Sequence, residues 1–321
     1  IAVVKKILGP LLALGVIGFL LTNRWFLYDQ WRMLGYQPPA AVAKMAYDAK
    51  FTPSALNVFY VNHPELSNKA DFAKKCPAGS EKTAVLGCYH GNQRAIYVLD
   101  VNAPELEGIE EVTAAHELLH AQYDRLSSRE RKKIDAQLQA VYDSLQDQSV
   151  KDTVDAYRKS EPDALINEMH SIFGTQLAQL PPELETYYKR YFQDRQAVVA
   201  TFTKYNDAFV SREKQVKEAD AQLAAWKAEM DPLESSLRQQ QTSLERQRQS
   251  MQQLRASGSV GAYNAQVDSY NYQVSAYNNG VARLKQIIND YNDLVATRNN
   301  IALEEQALVK AISSASVPAA Q

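Results

Sequence analysis

The segment that decides the fold reads Val112-Thr113-Ala114-Ala115-His116-Glu117-Leu118-Leu119-His120-Ala121-Gln122, and its apolar residues recur with helical spacing. On such a helix, His116 and His120 lie on one face about one turn apart, so both imidazoles can reach one Zn²⁺ ion. Glu117 stands between them and projects beside the metal. A carboxylate in this place can take the proton of a zinc-bound water and pass it to a leaving amine. The segment therefore predicts a zinc site with Glu117 as catalytic base.

A third protein ligand is expected, because a catalytic zinc ion uses three and keeps one position open. The metzincin pattern would place histidine at position 126, but Leu126 stands there, which excludes that branch. Glu168, Glu161 and His170 are the remaining candidates. Acidic residues such as Glu161 are common at helix starts, and His170 lies about 200° around a helix from Glu168. Residue chemistry alone leaves the choice of the third ligand open.

Around these residues the chain resembles a known family. The HExxH motif is followed after about fifty residues by Asn167-Glu168 and then by Ile172-Phe173-Gly174-Thr175. This combination is similar to the gluzincins, the thermolysin-like zinc peptidases, and especially to their minimal forms. The resemblance covers Glu110 to Thr175. It implies a zincin-like peptidase domain, with His116, His120 and Glu168 as zinc ligands and Glu117 as base.

The resemblance also raises expectations about the surroundings of the metal. Ile172 stands where the family often carries an aspartate that orients a ligand histidine, so Asn167, Ser171 or a backbone carbonyl would supply that hydrogen bond. His170 is a candidate oxyanion donor, although a core histidine is the favoured interpretation. Three tyrosines, which more often serve in packing, are further oxyanion candidates: Tyr187, Tyr188 and Tyr191.

A small sheet is predicted before the motif helix, because β-branched and aromatic runs occur at 58–61, 83–89 and 95–99. His90-Gly91-Asn92-Gln93 between the last two runs is typical of a hairpin turn. By the resemblance, strand 95–99 or strand 83–89 would present its edge to an extended peptide. Further helices are predicted to start at the capping box Ser127–Glu130 and at Ser160-Glu161-Pro162-Asp163.

The N-terminal region predicts a membrane anchor. Residues 7–21 carry no charge, follow Lys5 and Lys6, and precede the aromatic cluster Trp25-Phe26-Leu27-Tyr28. A cleaved signal peptide and a buried core helix are the alternatives. An uncleaved single-pass anchor over residues 1–29 is favoured, with the remainder outside the cytoplasm.

The two cysteines, Cys76 and Cys88, are expected to form a disulfide, which suits an oxidising compartment outside the cytoplasm. Two free buried thiols are the alternative.

A heptad pattern begins near Phe202 and continues to Leu254, and a second one runs from Val260 to Val295 with Ile288 in its seam. Ser257-Gly258-Ser259 separates the two, which predicts an antiparallel helical hairpin with arms of roughly 80 Å. Pro232 is expected to kink the first arm without ending it. A single long helix that dimerises is the alternative.

The fold class predicted is therefore mainly α with a small β-sheet. Residues 1–29 would form the anchor, 30–200 the zincin-like peptidase domain, 201–313 the hairpin and 314–321 a disordered tail. The 35 Lys and Arg against 37 Asp and Glu leave no positive excess for a phosphate backbone, which argues against nucleic-acid binding.

Peptide-bond hydrolysis is the expected activity, with zinc as cofactor and a peptide or protein as substrate. The hairpin offers a surface for a protein partner or for another copy. Two alternatives are an envelope scaffold with a structural or relic zinc site and a metallohydrolase that cleaves another amide, such as a cell-wall peptide.

Overall fold

The computed structural model describes residues 18–20, 24–77 and 85–313 of the chain. The predicted tail and most of the predicted anchor segment 7–21 lie outside these residues. No helix in the described part of the chain is long and apolar enough to cross a bilayer.

Two compact units make up the structure. Of the described residues, the first contains those up to Ala208 together with 308–313, and the second is Phe209–Ala307. The predicted boundary at residue 200 lies eight residues before this division, within a helix that begins at Arg195. The predicted boundary at residue 29 also falls inside a helix, Arg24–Met33, so residues 24–29 belong to the first unit.

The first unit is mainly helical and holds one small sheet, which confirms the predicted α+β class. In chain order its elements are α1 (Arg24–Met33), α2 (Ala40–Asp48), α3 (Pro53–Val61), β1 (Glu65–Ser67), α4 (Lys69–Lys75), β2 (Gly87–His90), β3 (Ala95–Leu99), a 3₁₀ turn (Pro104–Leu106), α5 (Ile109–Asp124), α6 (Ser128–Asp143), α7 (Gln148–Ser160), α8 (Leu165–Gln176) and α9 (Pro182–Tyr188).

The sheet has the strand order β1-β3-β2, with β1 parallel and β2 antiparallel to the central strand. The predicted strands at 83–89 and 95–99 correspond to β2 and β3, and the predicted turn between them is present. The predicted strand at 58–61 is wrong, because this run is the second half of α3. Thr52 accepts a hydrogen bond from the Ala55 N–H and Pro53 occupies the first turn, so a strong local cap starts a helix there.

The predicted capping box at Ser127–Glu130 is confirmed at the start of α6. The predicted helix start at Ser160 is wrong, because Ser160 ends α7 and α8 begins only at Leu165. Pro162 follows the C-cap Glu161, where a residue without an N–H stops a helix. Proline next to a helix end is thus ambiguous in sequence, since it favours both starts and stops.

The second unit consists of two long helices, α10 (Arg195–Ala256) and α11 (Val260–Ile312), which extend beyond it at their outer ends. Gly258 adopts a positive φ of 76° in the turn between them. Ion pairs from Arg283 to Glu229 and from Arg298 to Asp220 show that the two helices run antiparallel.

The seam of this hairpin follows the predicted heptads along the first arm, where Leu237, Leu244 and Met251 are buried, and α10 continues through Pro232. In the second arm the prediction for Ile288 is wrong, because Ile288 is 40% exposed while Ile287 is only 1% exposed. After Leu284 the next seam residue is Ile287, three residues on, where the prediction placed Ile288, four residues on. The heptad register is therefore shifted by one residue at this point.

Helix α5 lies at the centre of the first unit, where it packs against α8, α2, α3 and both β2 and β3. Ala114, Leu118 and Leu119 on α5 are fully buried. Gly174 of α8 allows the closest approach, because a Cβ atom there would lie 2.4 Å from Cδ1 of Leu119. Because Gly174 has no side chain, Leu119 of the motif helix packs directly against the backbone of α8.

Candidate metal centre

Three side chains converge between α5 and α8. His116 Nε2 lies 3.5 Å from one carboxylate oxygen of Glu168, and His120 Nε2 lies 3.5 Å from the other. The three ligand atoms are all within 4.8 Å of one another. In a tetrahedral zinc site with bonds near 2.1 Å, neighbouring ligand atoms lie roughly 3.4 Å apart. The spacing therefore fits one metal ion held by the three groups.

The three side chains are nearly buried, with 16% of His116, 10% of His120 and 11% of Glu168 exposed. They lie in the wall of a cleft of about 550 Å³ that opens to solvent. A metal ion bound here would keep a coordination position towards the cleft, as a catalytic site requires.

The electrostatics of Glu168 suit a cation. Burial alone would raise the pKa of its carboxyl group, yet His120 and His116 hold this pKa below its ordinary value. A buried carboxylate that stays ionised needs a positive partner, because an unpaired buried charge is costly. The two imidazoles or a shared metal ion can fill that role.

Glu117 lines the same cleft and is 5% exposed. Burial raises the pKa of its carboxyl group to about 8, an effect that His120 opposes and Glu168 reinforces, and the backbone N–H of Tyr89 donates to the carboxylate. Gly87 on the neighbouring strand β2 makes room, since a Cβ atom there would lie 2.7 Å from Glu117 Oε1. No sequence pattern predicted this role of Gly87.

The rivals of Glu168 do not join the three ligand atoms. Glu161 lines the cleft but is outside the group. His170 is fully buried, and Tyr187 Oη lies 2.8 Å from its Nε2. Burial, with smaller effects from His120 and His116, lowers the pKa of His170 to about 3, so this residue is a neutral core histidine.

The predicted oxyanion tyrosines pack around His170. Tyr187, Tyr188 and Tyr191 are each less than a tenth exposed, and among the described residues that line the cleft none of the three is found. Their burial agrees with the favoured interpretation of His170 and of the three tyrosines as packing residues of the core, and the oxyanion role stays an alternative prediction.

Asn167 and Ser171 do not orient a ligand histidine. Asn167 Oδ1 and Ser171 Oγ are both buried and have no hydrogen-bond partner in the described part of the chain. Only Asn167 lines the cleft. The predicted hydrogen bond from either residue to the ligands is thus not formed.

Strand β2 forms one wall of the cleft, from Gly87 to His90. It is an edge strand, whereas β3 is central, so the alternative that placed an extended peptide on strand 95–99 is wrong. The disulfide between Cys76 and Cys88 joins β2 to the residue that follows α4. This bond ties the cleft wall to the remainder of the first unit.

Helix α7 contributes residues that sequence reasoning missed. Thr153 and Tyr157 are spaced four apart on this helix and both line the cleft. Their only sequence signal is that spacing, which is common on any amphipathic helix.

Comparison with known proteins gives no further assignment. The chain matches no family model, and no curated protein or solved structure shows a significant match to it. The candidate centre is therefore defined by its own geometry.

Proposed function

We propose that this chain is a zinc-dependent peptidase that hydrolyses peptide bonds in the cleft between α5, α8 and β2. The observation that carries the proposal is the convergence of His116, His120 and Glu168 on one point, with the buried carboxyl group of Glu117 beside it. The likeness of the sequence motifs to gluzincins supports the same reaction class.

Zinc fits the ligand set better than other common cations. Two imidazole nitrogens and one carboxylate are typical ligands of catalytic zinc, whereas calcium and magnesium favour all-oxygen sites. Bound zinc would supply Lewis acidity towards a carbonyl group and lower the pKa of a coordinated water towards 7.

Glu117 would move the protons of the reaction. Its carboxylate accepts a proton from the attacking water and donates it to the departing nitrogen, so that water and a peptide bond give a carboxylic acid and an amine. Burial raises the pKa of Glu117 to about 8, which favours return of the proton to the leaving group. A cation held by His116, His120 and Glu168 would lower that pKa and favour the ionised base.

Two other features would position the substrate. Edge strand β2 has backbone groups that an extended peptide can pair with, and it lies directly beside Glu117. Tyr157 lines the cleft, and its side chain is the candidate donor to the oxygen that gains charge at the reacting carbonyl.

The test compares Glu117→Gln with the wild type on a broad pool of peptides, after zinc loading. The amide cannot accept a proton, so peptide hydrolysis should fall about 10²–10⁴-fold while zinc content is retained. Glu111→Gln is the matched control, because Glu111 lies on the same helix away from the cleft and should leave activity unchanged. Full activity in Glu117→Gln would contradict the mechanism. A zinc-loaded wild type that is inert on all peptides would favour the scaffold function.

A further inference from the structure

Helix α1 carries charged residues on the face that meets the first unit. Asp29 is 7% exposed and forms two hydrogen bonds of 2.8 Å with the guanidinium group of Arg125 on α5. Arg32 donates to the backbone carbonyls of Val61, at 3.0 Å, and of Arg94, at 2.9 Å. These contacts fix α1 to the first unit.

Trp25 strengthens the same attachment. The guanidinium carbon of Arg94 lies 4.5 Å and that of Arg125 4.8 Å from the centre of the Trp25 ring. Such cation–π contacts are favourable, and more so away from water. Trp25, Asp29 and Arg32 are spaced four and three apart, so they form one helix face.

The opposite face of α1 is apolar and exposed. Leu27 and Trp31 of α1 and Leu34, directly after its end, follow the same spacing and are 37%, 64% and 78% exposed, and Phe26 at the flank of this face is 60% exposed. A helix of a soluble domain usually buries its apolar stripe and exposes its charges. α1 has the reverse arrangement.

We infer that this outer face, formed by Phe26, Leu27, Trp31 and Leu34, lies in the interface of a lipid bilayer. Aromatic side chains favour the headgroup level, where their rings meet both apolar and polar surroundings. Residues 7–21, shortly before α1, contain no charged residue.

The charges of α1 support a lipid surface as the occupant. Its one acidic residue, Asp29, is buried in the pair with Arg125, so the helix exposes no negative charge. Arg24 is exposed at the start of α1 and lines a shallow cleft that also contains Arg94. The exposed guanidinium group of Arg24, on a helix that exposes no negative charge, complements the phosphates of lipid headgroups.

One consequence is a fixed orientation of the first unit on the membrane. Since the inner face of α1 is bonded to α5 and the outer face lies in the interface, the first unit cannot turn freely as it would on a flexible tether. This inference is independent of the proposed peptidase activity.

The test uses the full chain reconstituted into phosphatidylcholine vesicles whose acyl chains carry bromine, which quenches tryptophan on contact. The substitutions Trp25→Phe and Trp226→Phe leave Trp31 as sole tryptophan. Its emission should shift to shorter wavelength and lose roughly half its intensity, and bromine near the headgroup should quench it more than bromine near the chain end. The matched control keeps only Trp226, in the hairpin, which should not be quenched.

A second pair of variants leaves Trp25 in place, in case its replacement disturbs the fold. One variant carries Trp226→Phe alone, and the other carries Trp226→Phe together with Trp31→Phe. The difference between their tryptophan emission spectra is the emission of Trp31. Trp31 that bromolipids do not quench but aqueous iodide does would overturn the inference. If neither bromolipids nor iodide quenched Trp31, protein would cover the outer face, and the inference would be overturned. If bromine at the ends of the acyl chains quenched Trp31 most strongly, the face would lie in the bilayer core and not in its interface, which would also overturn the inference.

Discussion

At the scale of single residues, the arrangement of His116, His120 and Glu168 combines two conditions that a metal centre needs. Each carboxylate oxygen of Glu168 faces a different imidazole at 3.5 Å, so the geometry leaves room for an ion at bonding distance from all three. The burial of all three groups limits the water that competes for the ion. Two imidazoles alone cannot neutralise a cation, and Glu168 supplies the negative charge.

The role of Glu168 can be tested against Glu161, which lines the same cleft without joining the three ligand atoms. Glu168→Ala should weaken zinc binding roughly 100-fold or more, because even residues that only orient ligands contribute 10–100-fold. Glu161→Ala is the matched control and should change affinity little. Competition with a chelating dye measures both, and the reverse order would contradict Glu168 as ligand.

At the scale of elements, several local sequence patterns predicted the correct helix, whereas contacts between residues far apart in the sequence could not be predicted. The helical spacing around residues 112–122 and the capping box at Ser127 depend on neighbours in sequence, and both were correct. Residues 58–61 were misassigned because β-branched and aromatic side chains pack as well on the buried face of α3 as in a strand. The inner face of α1 could not be foreseen, since Asp29 meets Arg125 across 96 positions.

The candidate site shows the same division. His116, Glu117 and His120 follow from the spacing of one helix, whereas Glu168 required the resemblance of its motif. Tyr157 was missed because nothing local separates it from an ordinary helix residue; the packing of α7 beside α8 brings it to the cleft.

The attachment of α1 predicts a large stability effect. Asp29→Ala would leave the guanidinium group of Arg125 nearly buried without its partner, because both side chains are about a tenth exposed. Breaking such a pair costs about 3–5 kcal/mol of unfolding free energy. Gln30→Ala, at the exposed next position, should change it by less than about 0.5 kcal/mol. Denaturant unfolding measures both, and equal small effects would show that the pair does not hold α1.

At the scale of the whole molecule, the chain forms two compact units. The candidate metal centre and its cleft lie entirely in the first unit, and the second is a helical hairpin with ion pairs along its sides. The end of α11 returns to the first unit, where Leu308 is 5% exposed. The start of α10 and the end of α11 thus belong to the first unit, and the middle parts of both helices form the hairpin.

This division predicts that the first unit folds without the hairpin. Arg212 and Glu304 form an ion pair across the two arms, so a short linker can replace residues 210–302. The shortened protein should stay folded and retain zinc, while partner or substrate choice changes. The control ends the chain at residue 209, which also removes Leu308, and should be less stable. Loss of zinc and of cooperative unfolding in the shortened protein would show that the hairpin is part of the catalytic fold.

The central claim is that His116, His120 and Glu168 hold one catalytic zinc ion. Elemental analysis of the purified full chain tests it most directly, with His116→Ala and His120→Ala measured beside the wild type. The account predicts about one zinc per wild-type chain and almost none in either variant, since two remaining ligands do not retain the ion tightly. Stoichiometric zinc in both variants, or none in a correctly folded wild type supplied with zinc, would contradict it.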